Sequence, residues 1–443
     1  MSLLSNKYRV LVVFVGFLCL VSVCSNYVVM NFTFICMKND MSFTRNDRGN
    51  ETSPVSLFDY TPNEKKYIMW AVAAGTIIGT FPVNFVFVRF GGRWTFFSAG
   101  IISVIATTLI PMAAQTSFYA LLLARFCQGI AFAADFAAIG LLTVRWAPLS
   151  ETAIFLGALT SFTNFSSVLT NAVSGAICEG FGWRTAFYAH AVMGLVFFTL
   201  WAFVYTDNPQ KSSRVSSVEL RKIQKNKSEQ HLDTKNVAVP YKKLLTSPVV
   251  LCVWLNAFAE MSIIVFLHTY APIFFNRILK FIGGIISDKA KCFSERSKML
   301  FFNTVSVGLV GVLIALLSFI PQSYHYVSVV LFSIIFSCLS LNCAGFYKCA
   351  TLHTRQFAHV VISTIQWMKS VALITGPALV AAIVKNEESA VQWRIVLCIL
   401  GGVMITANTL ALCVFTDKPA EYTMANANEK SIKYEVQPEK EDA

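Results

Sequence analysis

The stretch that most constrains this chain is residues 118–148, a hydrophobic run with Arg125, Gln128 and Asp135 in its interior. About 20 apolar residues in a helix, each rising ~1.5 Å, cross the ~30 Å hydrocarbon layer of a membrane. A charge near the middle costs about 2.5–3.5 kcal/mol on insertion scales, so it usually lines a pathway or meets a partner. We therefore expect Arg125 to face a wet cavity and to hold an anion there, with Gln128 as a second substrate-binding residue. The alternative is an arginine that pairs with a neighbouring helix and only fixes packing.

The composition places this run in a polytopic all-α membrane protein. Of 443 residues, 55% are hydrophobic and 14% are charged, whereas soluble domains have about 25% charged residues. The net charge of +12 lies mainly in loops between apolar runs, which fits the positive-inside rule and argues against nucleic-acid binding. The 12 cysteines show no metal-ligand spacing. We read them as packing residues, with a Cys36–Cys178 bridge near the outer face as the alternative.

Eleven apolar runs are long enough to span a membrane. Lys7 and Arg9 precede the first, which places the N-terminus in the cytoplasm. The loop 38–66 then faces the lumen or exterior, and its sequon at Asn50 is the expected glycosylation site. The runs are 10–37, 67–88, 94–114, 118–145, 152–178, 185–205, 248–275, 299–320, 325–347, 359–384 and 392–415.

A polar segment divides the chain into two halves. Residues 206–247 hold nine Lys/Arg against four Asp/Glu, so we expect a cytoplasmic linker between an N-terminal half, 1–205, and a C-terminal half, 248–415. Ser216 and Glu219 have capping-box spacing and predict a short surface helix through Lys225. Residues 416–443 form a charged cytoplasmic tail. Two helical halves around a central site are a common transporter plan.

Further polar residues within the runs are candidates for the site. Asn164 belongs to a fifth run rich in hydroxyl and amide groups, which predicts a helix that lines water, although such groups also bond to their own backbone. In the second half the candidates are Glu260, Tyr270 and Lys369. A buried carboxylate can carry a proton. The alternative is that Glu260 and Lys369 pair with each other, or that Lys369 extends to the interface.

Several segments of the sequence resemble one family. The quoted stretches are 71–93, RFCQG (125–129), RWAP (145–148), SGAICEGFGW (174–183), 239–250 and GGIISDK (283–289). They are similar to the anion–cation symporters of the major facilitator superfamily, which include sialin, vesicular glutamate transporters and sodium–phosphate cotransporters. The resemblance implies two six-helix halves, alternating access and an anionic substrate. It also implies a conformational loop motif at Arg89, Gly91 and Arg93, with a second copy at Gly284, Asp288 and Lys289.

Three positions depart from the family pattern. Val29 replaces the arginine of the first span, and Phe132 replaces the glutamate expected seven residues after Arg125. Asp135 lies nearly on the same helix face and is a candidate substitute for proton or ion coupling, together with Glu260. Val88 replaces the aspartate of the first loop motif.

The largest departure is a truncated eighth span near residues 278–288. About ten apolar residues there give half of a crossing, so we expect eleven complete membrane helices. Skipping one span would reverse the sidedness of everything after it, and would place Lys289, Lys291, Arg296 and Lys298 outside. Otherwise the short segment must re-enter from one face.

The sequence favours a secondary transporter of small organic anions or phosphate. Expected partners are the anion, Na⁺ or H⁺, and the lipid bilayer, with the chain acting as a monomer. We expect no cofactor, resident metal, nucleic acid or catalytic site. The predicted location is the plasma membrane or a lysosomal or vesicular membrane. A non-transporting, receptor-like relative is the alternative, favoured by Val29, Phe132 and the shortened span.

Overall fold

The structure is a computed structural model. It describes residues 7–38, 40–45, 52–56, 58, 60–225, 227, 240–270, 294–319, 331, 334–335, 337–384 and 389–423. Within these ranges, some side chains, including those of Asn164 and residues 265–270, lie outside the described set. Asn50, the segment 278–288 and the second loop motif also lie outside the described residues.

Six membrane crossings form the first half, as the apolar runs predict. The fourth and fifth crossings are each built from two helices that meet at Ala133 and at Ser161. The helices are α1 (Tyr8–Lys38), α2 (Pro62–Phe90), α3 (Gly92–Thr116), α4 (Phe118–Phe132), α5 (Ala134–Trp146), α6 (Thr152–Thr160), α7 (Phe162–Phe181) and α8 (Trp183–Val204).

A two-stranded antiparallel hairpin lies between α1 and α2. Strands β1 (Met41–Arg45) and β2 (Thr52–Ser56) pair with Met41 opposite Ser56. From its sequence this part is predicted only as a polar loop. The strands contain β-branched and aromatic residues that suit a short hairpin, although the helical pattern around them gives no sign of it. We call this end of the molecule the hairpin end.

The opposite end carries the linker, and we call it the linker end. A short helix, α9 (Ser217–Gln224), begins after Ser216, whose side chain accepts a hydrogen bond from the Glu219 N–H. The helix predicted from the capping pattern is therefore present. Its Glu219 carboxylate is buried and accepts hydrogen bonds from the N–H groups of Tyr8 (3.0 Å) and Arg9 (2.8 Å). An anion at a helix N-terminus is stabilising, so the linker anchors the start of α1.

Helix α10 (Tyr241–Thr246) leads into the second half. The described elements of that half are α11 (Pro248–Tyr270), α12 (Glu295–Asn303), the π turn Thr304–Leu309, α13 (Val310–Leu317), the 3₁₀ turn Ser340–Ala344, α14 (Phe346–Thr354), α15 (Ala358–Ile383) and α16 (Ala390–Val414). In this described part, the long helix α11 is followed by a continuous rod, made of α12, a π turn and α13. Three more helices, α14, α15 and α16, come after it.

Nine segments of the described chain are long and apolar enough to cross a membrane. One of them, Ser337–Val380, contains a reversal at Arg355, which has a φ of 43°. The reversal separates α14 from α15. Helix α14 continues to Thr354, beyond the predicted boundary at residue 347.

Buried amides connect the helices of the second half. The Asn303 side chain, beside the π turn, donates to the side-chain oxygens of Asn256 and Asn408, each at 3.0 Å. Asn256 in turn donates to the Ala407 carbonyl at 3.1 Å. Such hydrogen bonds between membrane helices contribute about 0.6–2 kcal/mol each. They fix α11, α12 and α16 against one another.

Of the two alternatives for the shortened span, the contacts of the second half contradict a reversal of sidedness. Helix α12 begins at the linker end: Glu295 forms an ion pair with Lys348 at 2.8 Å, and Arg296 donates to the Phe415 carbonyl at 2.9 Å. The start of α11 lies at the same end, since Ser247 contacts His353, whose ring contacts the Lys418 carbonyl. Helices α11 and α12 therefore start at the same end, and Arg296 and Lys298 lie there with the basic linker.

Candidate functional site

A cavity of about 550 Å³ lies between the two halves. It extends from the middle of the bundle towards the hairpin end, where Lys65 and Lys66 line it. Its described lining contains four basic residues, these lysines with Arg125 and Lys369, and one acidic residue, Glu260. A low-dielectric cleft with an excess of one charge concentrates the opposite charge, so this cavity favours an anion.

Arg125 is fully buried and held from one side by the protein. Its Nη1 donates to the Tyr27 carbonyl (2.9 Å) and to Gln128 Oε1 (2.7 Å), and its Nε donates to the Ile68 carbonyl (3.4 Å). The second terminal nitrogen, Nη2, has no hydrogen-bond partner among the described residues. No described carboxylate forms an ion pair with Arg125. The guanidinium therefore keeps one donor nitrogen and its charge available at a cavity wall.

Gln128 lies behind Arg125 and does not line the cavity. Besides accepting from Arg125, its amide donates to the Asn26 carbonyl and to Thr107 Oγ1, each at 2.8 Å. The side chain therefore joins α4 to α1 and α3 and orients the guanidinium. Gln128 therefore supports Arg125 from behind and does not take the substrate-contacting position predicted for it from the sequence.

Lys369 lies beside Phe132, the residue that replaces the glutamate of the family pattern. Its ammonium is 5.1 Å from the centre of the Phe132 ring, a cation–π distance, and both residues line the cavity. Phe132 belongs to the first half and Lys369 to the second. The family glutamate would therefore stand beside a lysine of the opposite half.

Asp135 is buried just beyond this pair. Both carboxylate oxygens lack a hydrogen-bond partner within the described part of the chain, and Lys369 is a charge that acts on them. Asp135 is not among the cavity-lining residues. The structure thus brings the Asp135 carboxylate close to the cavity lysine without exposing it to the cavity.

Glu260 contributes a carboxylate from the second half. It lies on the cavity wall, buried, and accepts a hydrogen bond from the Asn342 side chain. Tyr347 and Ser370 line the same wall. Tyr270 and Asn164, both predicted to contact substrate, have side chains outside the described residues. The fifth crossing nevertheless supplies polar lining, namely Thr160, Thr163, Ser167 and Asn171.

The halves close the cavity at the linker end. Helix α5 packs on α15 so tightly that a methyl group added to Gly140 would lie 2.6 Å from the His359 Cα. The rings of Phe136 and Tyr347 stack across the same boundary at 6.4 Å. The Gln366 amide also donates to the Phe132 carbonyl at 3.4 Å. The barrier thus lies between the cavity and the linker.

Comparison with known proteins identifies the fold and the family. A family model described as Major Facilitator Superfamily matches residues 13–377. The chain belongs to the Major Facilitator Superfamily. The proton:xylose symporter XylE superposes with a TM-score of 0.70 over 95% of this chain and 99% of that one. At 14% identity this likeness shows the fold alone.

The relatives that match this chain are consistent with its membership of the anion–cation symporter family. Sodium-dependent phosphate transport protein 1 of Mus musculus is 23% identical over 430 residues, 88% of this chain and 89% of that protein. The uncharacterized transporter slc-17.2 of Caenorhabditis elegans is 29% identical over 247 residues, 52% of this chain and 50% of that one. Sialin of Homo sapiens is 26% identical over 226 residues, 49% and 45% of the two chains.

The turn at which the resemblance implies the first loop motif contacts an acidic residue from elsewhere in the chain. Gly91 has a φ of 87°, which favours glycine, and the Gly92 N–H donates to Asp207 Oδ1 at 2.6 Å. Asp207 also lies 3.7 Å from the Arg145 guanidinium. Arg93 donates to the Ala202 carbonyl at 3.0 Å, whereas Arg89 is exposed. An aspartate after the sixth crossing thus contacts the turn that lacks an aspartate at Val88.

Sequence reasoning missed two groups of residues at this site. Lys65 and Lys66 were assigned to a polar loop, although they directly precede an apolar run and so stand near the membrane surface. Their ammonium groups lie over aromatic rings, Lys65 over Phe34 at 5.7 Å and Lys66 over Trp70 at 5.3 Å. The second group is Asn342 and Tyr347. No sequence pattern identifies these two residues, because their role depends on where Glu260 lies in the fold. The described residues contain no cluster of metal-ligating side chains.

Proposed function

We propose that this protein is a secondary transporter that carries a small organic anion or inorganic phosphate across a membrane. The observation that carries the proposal is the buried Arg125 with its unpartnered Nη2 at the cavity wall. Burying an unpaired charge is costly, so the site is most stable when an anion completes it. The transporter relatives that match this chain support the same class of function.

Alternating access is supported by the shape of the site. The cavity extends towards the hairpin end, and the contacts of α5 with α15 close it towards the linker. Rigid-body rocking of two halves around a fixed central site is the usual mechanism for folds of this kind. Binding groups come from both halves, Arg125 from one and Tyr347 from the other. An anion held between them would therefore link its own binding to the relative position of the halves.

Coupling to an ion gradient is assigned to the carboxylates near the substrate. Glu260 lines the cavity directly, and Asp135 lies beyond Phe132, where the field of Lys369 reaches it. Protonation of either group changes the net charge beside the anion. We propose Glu260 and Asp135 as the groups that exchange H⁺, or Glu260 as a contributor to Na⁺ binding, during the transport cycle.

The test is uptake of labelled anions into vesicles that contain the purified protein. Inorganic phosphate and a panel of small carboxylates are offered under imposed Na⁺ or H⁺ gradients. In Arg125→Lys the charge remains but the planar fork is lost. Loss of one charge-assisted hydrogen bond, about 1.5–3 kcal/mol, should raise the KM roughly 10–100-fold.

The matched control is Arg394→Lys, which changes an arginine near the start of α16 that lies outside the cavity and donates to the Ser318 carbonyl. Its uptake should stay near that of the unaltered protein. Equal uptake by Arg125→Lys and the unaltered protein would contradict the assignment of Arg125. Anion binding without uptake under any gradient would instead support the receptor-like alternative.

A further inference from the structure

Two cysteines from different helices meet at the hairpin end. Cys36 is in the last turns of α1 and Cys178 is in the last turns of α7. Both are partly exposed and pack against the same apolar cluster, around Trp183 and Met37. The two side chains therefore share one site at this end of the molecule, and both are accessible to a small reagent.

The alignment of helices α1 and α7 brings the two cysteines to the same level. Helices α1 and α7 run in the same direction, from the linker end to the hairpin end. Ser25 and Ser166 are hydrogen-bonded at 3.0 Å, and further along the Phe32 ring faces Gly175. From the contact of Phe32 with Gly175, Cys36 is four residues on and Cys178 is three, which is about one helical turn, or ~5–6 Å, along each helix. The cysteines therefore fall opposite each other.

A further contact holds the end of α1 in place. The Asp40 carboxylate, just after α1, accepts hydrogen bonds from Trp183 Nε1 and from the Arg184 guanidinium, each at 2.9 Å. Both partners follow α7 directly in the chain. These hydrogen bonds hold the segment that follows Cys36 against the segment that follows Cys178. Because both segments are held, the two thiols need to move less to form a bond.

We propose that Cys36 and Cys178 form a disulfide bond that joins the first and fifth crossings of the N-terminal half. The basic linker end is expected in the cytoplasm, which leaves the thiols facing the lumen or exterior, where disulfides form and persist. The oxidant is a disulfide of the secretory pathway, either a protein oxidoreductase or oxidised glutathione. One thiolate attacks it to give a mixed disulfide, and the second thiolate displaces the carrier. The two thiols lose two electrons and two protons, and the carrier leaves as two thiols.

The bond would stabilise one half without blocking transport. Both helices belong to the N-terminal half, so a link between them does not cross the boundary where the halves move. The link closes a loop of more than 100 residues, which strongly restricts the unfolded chain. We expect reduction to lower the melting temperature by roughly 5–10 °C and to leave uptake at low temperature unchanged. This inference does not depend on the identity of the substrate.

The experiment uses a site-specific protease sequence inserted between residues 47 and 48 of the full chain. After cleavage of protein in native membranes, the two fragments should migrate as one band on a non-reducing denaturing gel. They should separate when a reductant is added. Cys36→Ser and Cys178→Ser should each separate without reductant. Cys127→Ser, a partly exposed cysteine in α4, is the matched control and should remain joined.

Separation of the fragments of the unaltered protein without reductant would overturn the proposal. Fragments that stay joined in Cys178→Ser would also overturn it, because another cysteine would then be the partner. A melting temperature that falls equally with reductant in the unaltered protein and in Cys36→Ser would contradict the stabilising role.

Discussion

Phe132→Glu tests how the two halves are held together at the site. The substitution restores the carboxylate that the family resemblance implies and places it beside Lys369 of the opposite half. The Lys369 ammonium is now 5.1 Å from the Phe132 ring centre. A charge pair at that separation, with an effective dielectric constant of about 20, gains about 3 kcal/mol. Loss of the cation–π contact costs about 1–2 kcal/mol.

The net gain of about 1–2 kcal/mol applies to the arrangement that is closed at the linker end, in which Lys369 lies beside residue 132. We expect the two residues to separate when the halves rock apart. It should shift the equilibrium between arrangements by roughly 5–30-fold towards that state. The shift should disappear at low pH, when the new carboxyl group binds a proton. Uptake by Phe132→Glu should therefore be slower than that of the unaltered protein near neutral pH and should recover as pH falls.

The assay is the pH profile of anion uptake in vesicles, with Phe132→Gln as the uncharged control of the same shape. A second comparison adds Lys369→Gln to Phe132→Glu, which removes the partner charge. We expect the pH dependence only when the carboxyl group and the lysine are both present. Identical pH profiles for Phe132→Glu and Phe132→Gln would refute the reasoning.

Three further predictions concern other parts of the chain. Asn50→Gln should abolish the endoglycosidase-sensitive gel shift, and a shift that survives would mean a different acceptor. Replacing Lys65 and Lys66 by glutamine should raise the KM for the anion several-fold at low salt and less at high salt, because screening weakens the same attraction; an effect independent of salt would contradict a steering role. Glu219→Gln should lower the melting temperature by a few degrees, since buried hydrogen bonds to a charged group contribute about 1.5–3 kcal/mol each; an unchanged melting temperature would show that the linker does not anchor α1.

The crossings of the first half could be predicted because each is a separate apolar run of sufficient length. The family resemblance also implied the major-facilitator fold, and Arg125, singled out from its place in an apolar run, lines the cavity. Residues that act through a partner far away in sequence could not be found this way. Asp207 contacts Gly92 only because the ends of α2 and α8 meet, and Glu219 is buried only because α9 docks under α1. No local pattern encodes either proximity.

The sidedness of the second half could not be settled from the sequence, since a count of apolar runs treats the segment between α11 and α12 as an incomplete crossing. Contacts decide it instead. Glu295 pairs with Lys348 and Arg296 bonds to Phe415, so α12 begins at the linker end, where α11 also begins. This arrangement keeps Arg296 and Lys298 on the same side as the basic linker, in agreement with the positive-inside rule.

A labelling experiment tests this arrangement directly. Ser297→Cys places a thiol at an exposed position in the first turn of α12, and Thr116→Cys places one at the exposed hairpin end of α3. A membrane-impermeant maleimide is applied to sealed vesicles and then to permeabilised ones, with the unaltered protein as the background for the native cysteines. Whatever the orientation of the vesicles, the two new thiols should react from opposite sides. Reaction of both from the same side would place the start of α12 at the hairpin end, and the sidedness derived from the Glu295 and Arg296 contacts would be wrong.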